Sequence, residues 1–344
     1  MKYAVLVGNE KFEIRDGDFK VNGNPIIKVT HVGVCGTDMS YWKNGDDYKD
    51  IVIGHEYTGI IEDPGNTNFR KGQRVVGHTQ NNFNEPCGHC QNCLKGDFDN
   101  CTNRKIATWK GGELSHPGAY SELTTWFPKS IFPLPENLPN DEAALIEPFT
   151  VGLHAVRISD IKPGDKVLIL GGGIIGLTVA EWVRTFGAAE ITISEVNPIK
   201  IKNIISYGSA DHVVNGLDEN IQQQLQDISK GGYDIMIDCV GVPSAFDVGL
   251  KALKKEKKMR VTGVALPHVQ FPIDYHALVF NEIIFKGSKG QTLDEFKMVM
   301  NAIANNKISV KKYITKRIKL HEIQQTFETA KKEGGIDTKI LIEM

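Results

Sequence analysis

Cys87, Cys90, Cys93 and Cys101 are spaced C-x2-C-x2-C-x7-C, so four of the chain's six cysteines fall within fifteen positions. A C-x2-C turn presents two thiolates to one point, and zinc takes four soft ligands in a tetrahedron. Gly88 and Gly96 ease the turns. Four thiolates leave no coordination position open to a substrate, so this spacing predicts a structural zinc that braces the chain. An iron–sulfur cluster would use the same four ligands, and free thiols are the plainer alternative. Six cysteines in 344 residues are too few for a disulfide scaffold and fit reduced thiols in a cytoplasmic protein.

A second chemistry-bearing stretch is DKVLILGGGIIGLTVAEWVRTFGA, which holds Gly171-x-Gly173-x-x-Gly176. Alone, such a pattern is weak. Here it follows an apolar strand and opens a helix at Ile174 and Ile175, the context a dinucleotide requires. The first glycine makes the tight turn, the second lets backbone approach a pyrophosphate, and the third lets helix and strand pack closely. The free N–H groups and positive dipole of the helix N-terminus favour the phosphates. The next strand, EITIS, runs into Glu195, 24 residues after Gly171. An acid there accepts hydrogen bonds from an adenosine ribose and repels a 2′-phosphate, which favours NAD over NADP. Lys200 could sit beside the adenine end or simply be a solvated helix lysine.

Three further segments carry ligand types: Cys35 in HVGVCGTDMSYW, His55 and Glu56 in IGHEYTGII, and Glu147 in ALIEPFTVGLHAV. Singly, Cys35 reads as a buried small hydrophobe, His55 as a satisfied histidine and Glu147 as a helix-start acid. Together they offer a thiolate, an imidazole and carboxylates in a chain that also carries a dinucleotide turn. Cys239, in YDIMIDCVG, reads as a buried strand residue rather than a ligand.

The elements that must position these residues divide into two kinds. Residues 1–150 are broken by Gly and Pro into short apolar runs such as IIKVTHVGV and QRVVGH, the pattern of an irregular β-rich domain. From about residue 151, strands (DKVLIL, EITIS, DHVV, YDIMIDCVG, KMRVTGV, EIIFKGS) alternate with helical segments, which predicts a parallel sheet with helices on both faces. After about residue 288 come two helical stretches, LDEFKMVMNAIANN and HEIQQTFETAKKE, and a last apolar strand, TKILIEM. The expected fold class is therefore α/β, with a β-rich domain beside a doubly wound parallel sheet. The formal net charge of −2 gives no electrostatic reason to expect nucleic acid or an anionic membrane as partner. No apolar run has the length that a membrane span needs, and MKYAVLVGNEKFEI reads as a first strand rather than a signal peptide.

Taken in order, CGTD, GHE, the four-cysteine lobe, GAYSEL, IEPFTVGLHA, LGGGIIG and FKGS resemble the zinc-dependent medium-chain dehydrogenase/reductase family, the alcohol and polyol dehydrogenases. Within it the chain is similar to the sorbitol, butanediol and galactitol-phosphate dehydrogenase branch. The resemblance implies a GroES-like catalytic domain over 1–150 and 288–344, with the zinc lobe at about 85–103, and a Rossmann NAD-binding domain over 151–287. It implies two zinc ions per chain. The catalytic ion would fall on Cys35, His55 and either Glu56 or Glu147, with one position left for water or substrate oxygen.

Oxidising an alcohol removes a proton from oxygen and a hydride from carbon. The resemblance assigns polarisation of the hydroxyl to zinc and hydride acceptance to a nicotinamide held between the domains. Thr37 would be the first proton acceptor, since a hydroxyl can donate and accept at once. Asp38 would hold a ligand or hydroxyl in orientation, and Tyr41 would line the substrate pocket. The chain reads CGTDMSYW where sorbitol-type relatives commonly have histidine in place of Ser40, so its proton would leave through Glu56, Glu147 or water. Trp109 and His116, in a run longer than in many relatives, could shape a distinctive pocket, although a surface loop is the plainer expectation.

The expected activity is NAD-linked oxidation of a secondary alcohol of a polyol, sugar alcohol (phosphorylated or not) or cyclitol to the ketone. L-Threonine or a simple secondary alcohol or diol is the alternative, against which the EP pair of IEPFTVG weighs. A zinc protein that keeps only the fold is disfavoured, because Cys35, Thr37, His55, Glu56 and Glu147 are all retained. A small-molecule substrate and a homodimer or homotetramer are the expected partners.

Overall fold

The computed structural model describes residues 1–18, 23–78, 84–103, 105–106, 118–254, 259–264, 270–271 and 274–344. Trp109 and His116 lie outside the described residues. The chain forms two compact units: Met1–Glu147 together with Thr292–Met344, and Pro148–Gln291.

The first unit is built on a seven-stranded sheet ordered Ile314–Lys319, Lys339–Glu343, Ile26–Gly33, Glu56–Asp63, Arg74–Gly77 and Ile131–Pro133, with Leu123–Thr125 also pairing Ile26–Gly33. One edge is built from the late strands Ile314–Lys319 and Lys339–Glu343, and the other edge strand, Ile131–Pro133, comes from the middle of the chain. TKILIEM therefore does not close off a separate tail; Leu341 pairs antiparallel with Gly33, which in turn faces Glu56 on the next strand. The hairpin Lys2–Gly8 and Lys11–Asp16 packs Tyr3, Ala4, Val5, Leu6 and Phe12 into the same core as Trp42, Tyr57, Tyr120 and Phe327. The helix Leu293–Ala304 begins at a reciprocal cap in which Thr292 accepts from the Glu295 N–H and Glu295 accepts from the Thr292 N–H. It ends with Ile303 and Ala304 buried.

The second unit carries a six-stranded, all-parallel sheet ordered His212–Asn215, Glu190–Glu195, Lys166–Leu170, Ile235–Asp238, Arg260–Gly263, Ile284–Gly287. In chain order that is 3-2-1-4-5-6, the doubly wound arrangement that places ligands at the carboxyl ends of its central strands. KVLIL and IMID are buried along nearly their whole length, as expected for strands covered on both faces. The helix Pro198–Tyr207 starts on Asn197, whose side chain accepts from Ile199 and Lys200 N–H, and stops at Gly208 in the left-handed region. The strand Ile284–Gly287 differs from what its apolar sequence leads one to expect. All four residues are exposed, because it lies at the sheet edge and pairs on one side only.

Candidate metal centres and cofactor turn

In the lobe, the short helix Gln91–Leu94 begins at Cys90 and is followed by the turn Phe98–Asn100, and this brings the four cysteine sulfurs within 4.8 Å of one another. Cys87 and Cys93 Sγ are 3.9 Å apart, as are Cys90 and Cys101 Sγ. Four sulfurs about 2.3 Å from a central zinc would be separated by about 3.8 Å, so the cage fits the ion without rearrangement. All four are free thiols. Backbone N–H groups of Cys93 and Thr102 hold the Cys90 thiol down at about 5, while burial and then the Cys90 thiol push Cys93 up to about 12. Four thiolates this close would repel one another, and a divalent cation would supply the balancing charge. Phe98, Phe127 and Leu293 pack against it.

The second cluster gathers Cys35, His55 and Glu56, whose donor atoms lie within 4.8 Å of one another. Cys35 caps the N-terminus of the helix Gly36–Lys43, and His55 and Glu56 stand where the strand Glu56–Asp63 begins. His55 and Glu56 are buried, as is Asp38. Asp38 ties the first segment to the second. Its Oδ2 accepts the Cys35 N–H at 3.0 Å and the Tyr120 hydroxyl at 2.7 Å, and its Oδ1 faces His55 Nδ1 at 3.4 Å. Burial alone would lower the His55 imidazole, but Asp38 and then Cys35 hold it well above its ordinary value. A cation on this cluster therefore competes with a proton for the ring.

On the other side stands Lys339, entirely buried, whose Nζ donates to Glu56 Oε1 at 2.9 Å, Glu56 Oε2 at 2.6 Å and Val34 O at 3.0 Å. Burial would lower this ammonium, yet Glu56, followed by Cys35 and Glu147, raises it above its usual value. The carboxylate reaches Lys339 because Gly33 lies opposite Glu56; a Cβ on Gly33 would collide with Glu56 Oε2. Glu147, buried in the first turn of the helix Ile146–Ile158, lies outside the three-donor set while its charge is felt at Lys339. One buried ammonium thus faces a thiol and two carboxylates, a donor set and charge balance that fit a divalent metal.

Thr37 is exposed on the first turn of its helix, and among the described residues no atom beyond its chain neighbours and own helix backbone lies within 4 Å of where a Cβ on Gly36 would stand. Ser40 is exposed, with its carbonyl accepting from Asn44. Burial raises the Tyr41 phenol, and the charges of His55, Asp38 and Cys35 all bear on it, which puts Tyr41 beside the cluster.

In the second unit the three fingerprint glycines have separate tasks. Gly171 has φ +94°, the left-handed turn. Gly173 would meet no protein atom within 4 Å if given a Cβ, and it caps the helix Ile174–Thr185. A Cβ on Gly176 would collide with the carbonyl of Gly171. The N–H groups of Ile174 and Ile175 open the helix, where no intrahelical acceptor exists for them. The Glu195 carboxylate also has a role that the sequence did not reveal: Oε2 accepts Gly172 N–H at 2.8 Å, and Oε1 accepts Val196 and Asn197 N–H at 2.7 and 2.9 Å. It sets the loop, and of roughly four acceptor positions it keeps about one for a ribose hydroxyl. Lys200 is half-buried, its N–H taken by Asn197. Cys239, read from the sequence as a buried strand residue, instead follows the strand Ile235–Asp238 and is half-buried, with burial pushing its thiol up.

The sequence matches the family described as alcohol dehydrogenase GroES-like domain over residues 22–136, and that described as zinc-binding dehydrogenase over residues 175–305. Together the two matches cover more than half of the chain. The chain belongs to the zinc-dependent medium-chain dehydrogenases. It is 28% identical over 312 residues to L-threonine 3-dehydrogenase of Shewanella baltica (strain OS185), covering 88% of this chain and 87% of that one. It is 28% identical over 329 residues to the probable D-xylulose reductase A of Aspergillus clavatus, covering 92% and 88%. Galactitol-1-phosphate dehydrogenase from Escherichia coli has a similar fold, with a TM-score of 0.84 over 100% of both chains at 21% identity.

For this dehydrogenase the motifs pointed to Cys35, Asp38, His55 and Glu56, which the fold brings together. Lys339 and Tyr120 were missed as site residues. The one signal for Lys339 is a lysine at the head of the otherwise apolar TKILIEM, and Tyr120 stood in plain view in GAYSEL with nothing to link it to Asp38.

Gly173→Val should leave the unfolding midpoint close to wild type and abolish NADH binding by fluorescence titration, whereas Gly176→Val should lower the midpoint as well; equal effects from both would contradict the division of roles. Lys339→Met strands a buried carboxylate and should cost about 3–5 kcal/mol in the metal-free protein. Zinc should recover part of that loss in denaturant melts, because the cation replaces the missing positive charge.

Proposed function

We propose that the dehydrogenase oxidises the secondary hydroxyl of a polyol, sugar alcohol or cyclitol to the ketone with NAD, and runs the reverse reduction. The observation that carries the reading is the Cys35, His55 and Glu56 donor set beside an exposed Thr37 and open space at Gly36. In the proposed site these three residues hold the catalytic zinc, with Glu147 close by, and Cys87, Cys90, Cys93 and Cys101 hold the structural one. Zinc supplies Lewis acidity at the hydroxyl oxygen, and NAD supplies the hydride acceptor.

The chain's own residues do the rest. Asp38 faces the His55 ring on its Nδ1 side, so Nε2 would be the nitrogen left for a metal. Lys339 holds Glu56 through both carboxylate oxygens, so Glu56 would be shared between the ammonium and the cation. The Thr37 hydroxyl accepts the substrate proton and, being exposed, passes it to solvent or the cofactor ribose. Tyr41 lines the hydroxyl-bearing substrate. Gly171, Gly173 and Gly176, with the N–H groups of Ile174 and Ile175, take the pyrophosphate, and Glu195 takes the adenosine ribose. Lys200 sits towards the adenine end. A second reading, oxidation of L-threonine or a simple secondary alcohol, is favoured by the likeness to L-threonine 3-dehydrogenase.

We read the chain as cytoplasmic. Its cysteines are free thiols, and no helix among the described residues is long and apolar enough to cross a membrane. We also read it as a homo-oligomer paired through the second unit. Among the described residues the edge strand Ile284–Gly287 pairs on one side only, and Tyr275, Val279 and Phe280 stand 76%, 59% and 73% exposed nearby in sequence.

A panel of polyols, diols, sugar-alcohol phosphates and L-threonine, read as NADH formation, should give turnover with at least one polyol. Cys35→Ser should abolish that turnover and lower the zinc content from two ions per chain to one. Turnover confined to L-threonine would select the second reading, and none at all in metal-replete protein would sink both. By light scattering the wild type should be a multiple of the 38.1 kDa chain, and Val279→Asp with Phe280→Asp should reduce its mass; a monomeric wild type contradicts the pairing.

A further inference from the structure

Tyr120 takes no part in the reaction as proposed, yet it is wholly buried and reaches both ligand-bearing segments. Its hydroxyl donates to Asp38 Oδ2 at 2.7 Å, the same oxygen that accepts the Cys35 N–H at 3.0 Å, while Asp38 Oδ1 faces His55 Nδ1 at 3.4 Å. The backbone around Tyr120 grips the chain leading into His55. Gly118 N–H donates to Val52 O at 3.0 Å, Tyr120 N–H to Ile53 O at 2.9 Å, and Ala119 N–H to Gly54 O at 2.9 Å. Gly54 has φ +99°, and a Cβ there would lie 2.6 Å from Tyr120 Cδ1, so the residue before His55 is shaped to admit this ring. The edges of Phe12 and Phe327, with ring centroids 6.3 and 6.4 Å away, fix the ring from other directions.

A carboxylate turns freely about its last torsion unless hydrogen bonds hold it. Without the tyrosine hydroxyl, the Cys35 N–H would be the one hydrogen bond left to the Asp38 carboxylate among the described residues. The tyrosine hydroxyl supplies the second anchor on that oxygen, and the orientation of a ligating imidazole follows the partner of its non-ligating nitrogen. We propose that Tyr120 is a positioning residue for the catalytic metal: through Asp38 it presets the Cys35 and His55 donors before the ion arrives. The proposal rests on the reading that Cys35 and His55 are metal ligands.

Tyr120→Phe keeps the ring against Gly54 and removes only the hydroxyl, and Tyr120→Leu removes both. Zinc affinity would be measured by competition with a chromophoric chelator, with Cys35→Ser as the reference that binds only in the lobe. Tyr120→Phe should weaken the second zinc by about 10–100-fold and shift the visible bands of the cobalt-loaded protein, with the lobe unaffected and the metal-free protein losing only the stability of one buried hydrogen bond. In an Asp38→Asn background the same substitution should add little. If Tyr120→Phe binds the second metal as tightly as wild type with an unaltered cobalt spectrum, and only Tyr120→Leu shows a loss, Tyr120 is packing and the proposal fails. If wild type and Cys35→Ser bind the same number of ions, the underlying reading of the ligands fails too, and that result needs no change at Tyr120.

Discussion

The buried ion pair of Lys339 and Glu56 is the constraint around which the first unit is organised. Moving both charges out of water is costly, and such a pair persists only where every donor and lone pair finds a partner. Here the ammonium spends its three donors on both oxygens of Glu56 and on the carbonyl of Val34. Val34 precedes Cys35 and Glu56 follows His55, so one side chain touches both segments that carry metal-ligand types. It comes from a strand at the far end of the chain, 283 residues from Glu56. This gives a physical reason for the sheet's threading, in which Lys339–Glu343 inserts beside Ile26–Gly33. Asp38 closes the opposite side, so the two ligand segments are held from two directions by groups that need not touch a substrate.

The second unit solves a different problem with the same economy of atoms. Its glycines are not interchangeable: one makes a left-handed turn, one leaves open space, and one permits a backbone contact that no side chain would allow. Glu195 is drawn into the scaffold by three backbone N–H groups. If Glu195 takes the ribose as proposed, it is fixed before the ribose arrives, which lowers the ordering cost of binding.

What the sequence made legible was local in the chain. The C-x2-C spacing and the strand–Gly-x-Gly-x-x-Gly–helix order both depend on neighbours a few residues apart, and the corresponding geometry is present. The roles of Lys339 and Tyr120 depend on partners 283 and 82 residues away, and no periodicity encodes such a pairing. Gly33 and Gly54 were passed over for the same reason, since their necessity lies in Glu56 and Tyr120. EIIFKGS misled in a subtler way. Its apolar residues suit a covered strand, and they stand exposed at an edge that one copy of the chain leaves bare.

The central claim is that Cys35, His55 and Glu56 form a metal centre whose carboxylate is shared with Lys339. Anomalous diffraction at the zinc edge from crystals of the metal-replete protein tests it most directly. The account predicts two peaks per chain, one among the four lobe cysteines and one on Cys35, His55 and Glu56, with Lys339 still bonded to Glu56. A single peak in the lobe, or a second ion away from Cys35 and His55, would contradict it.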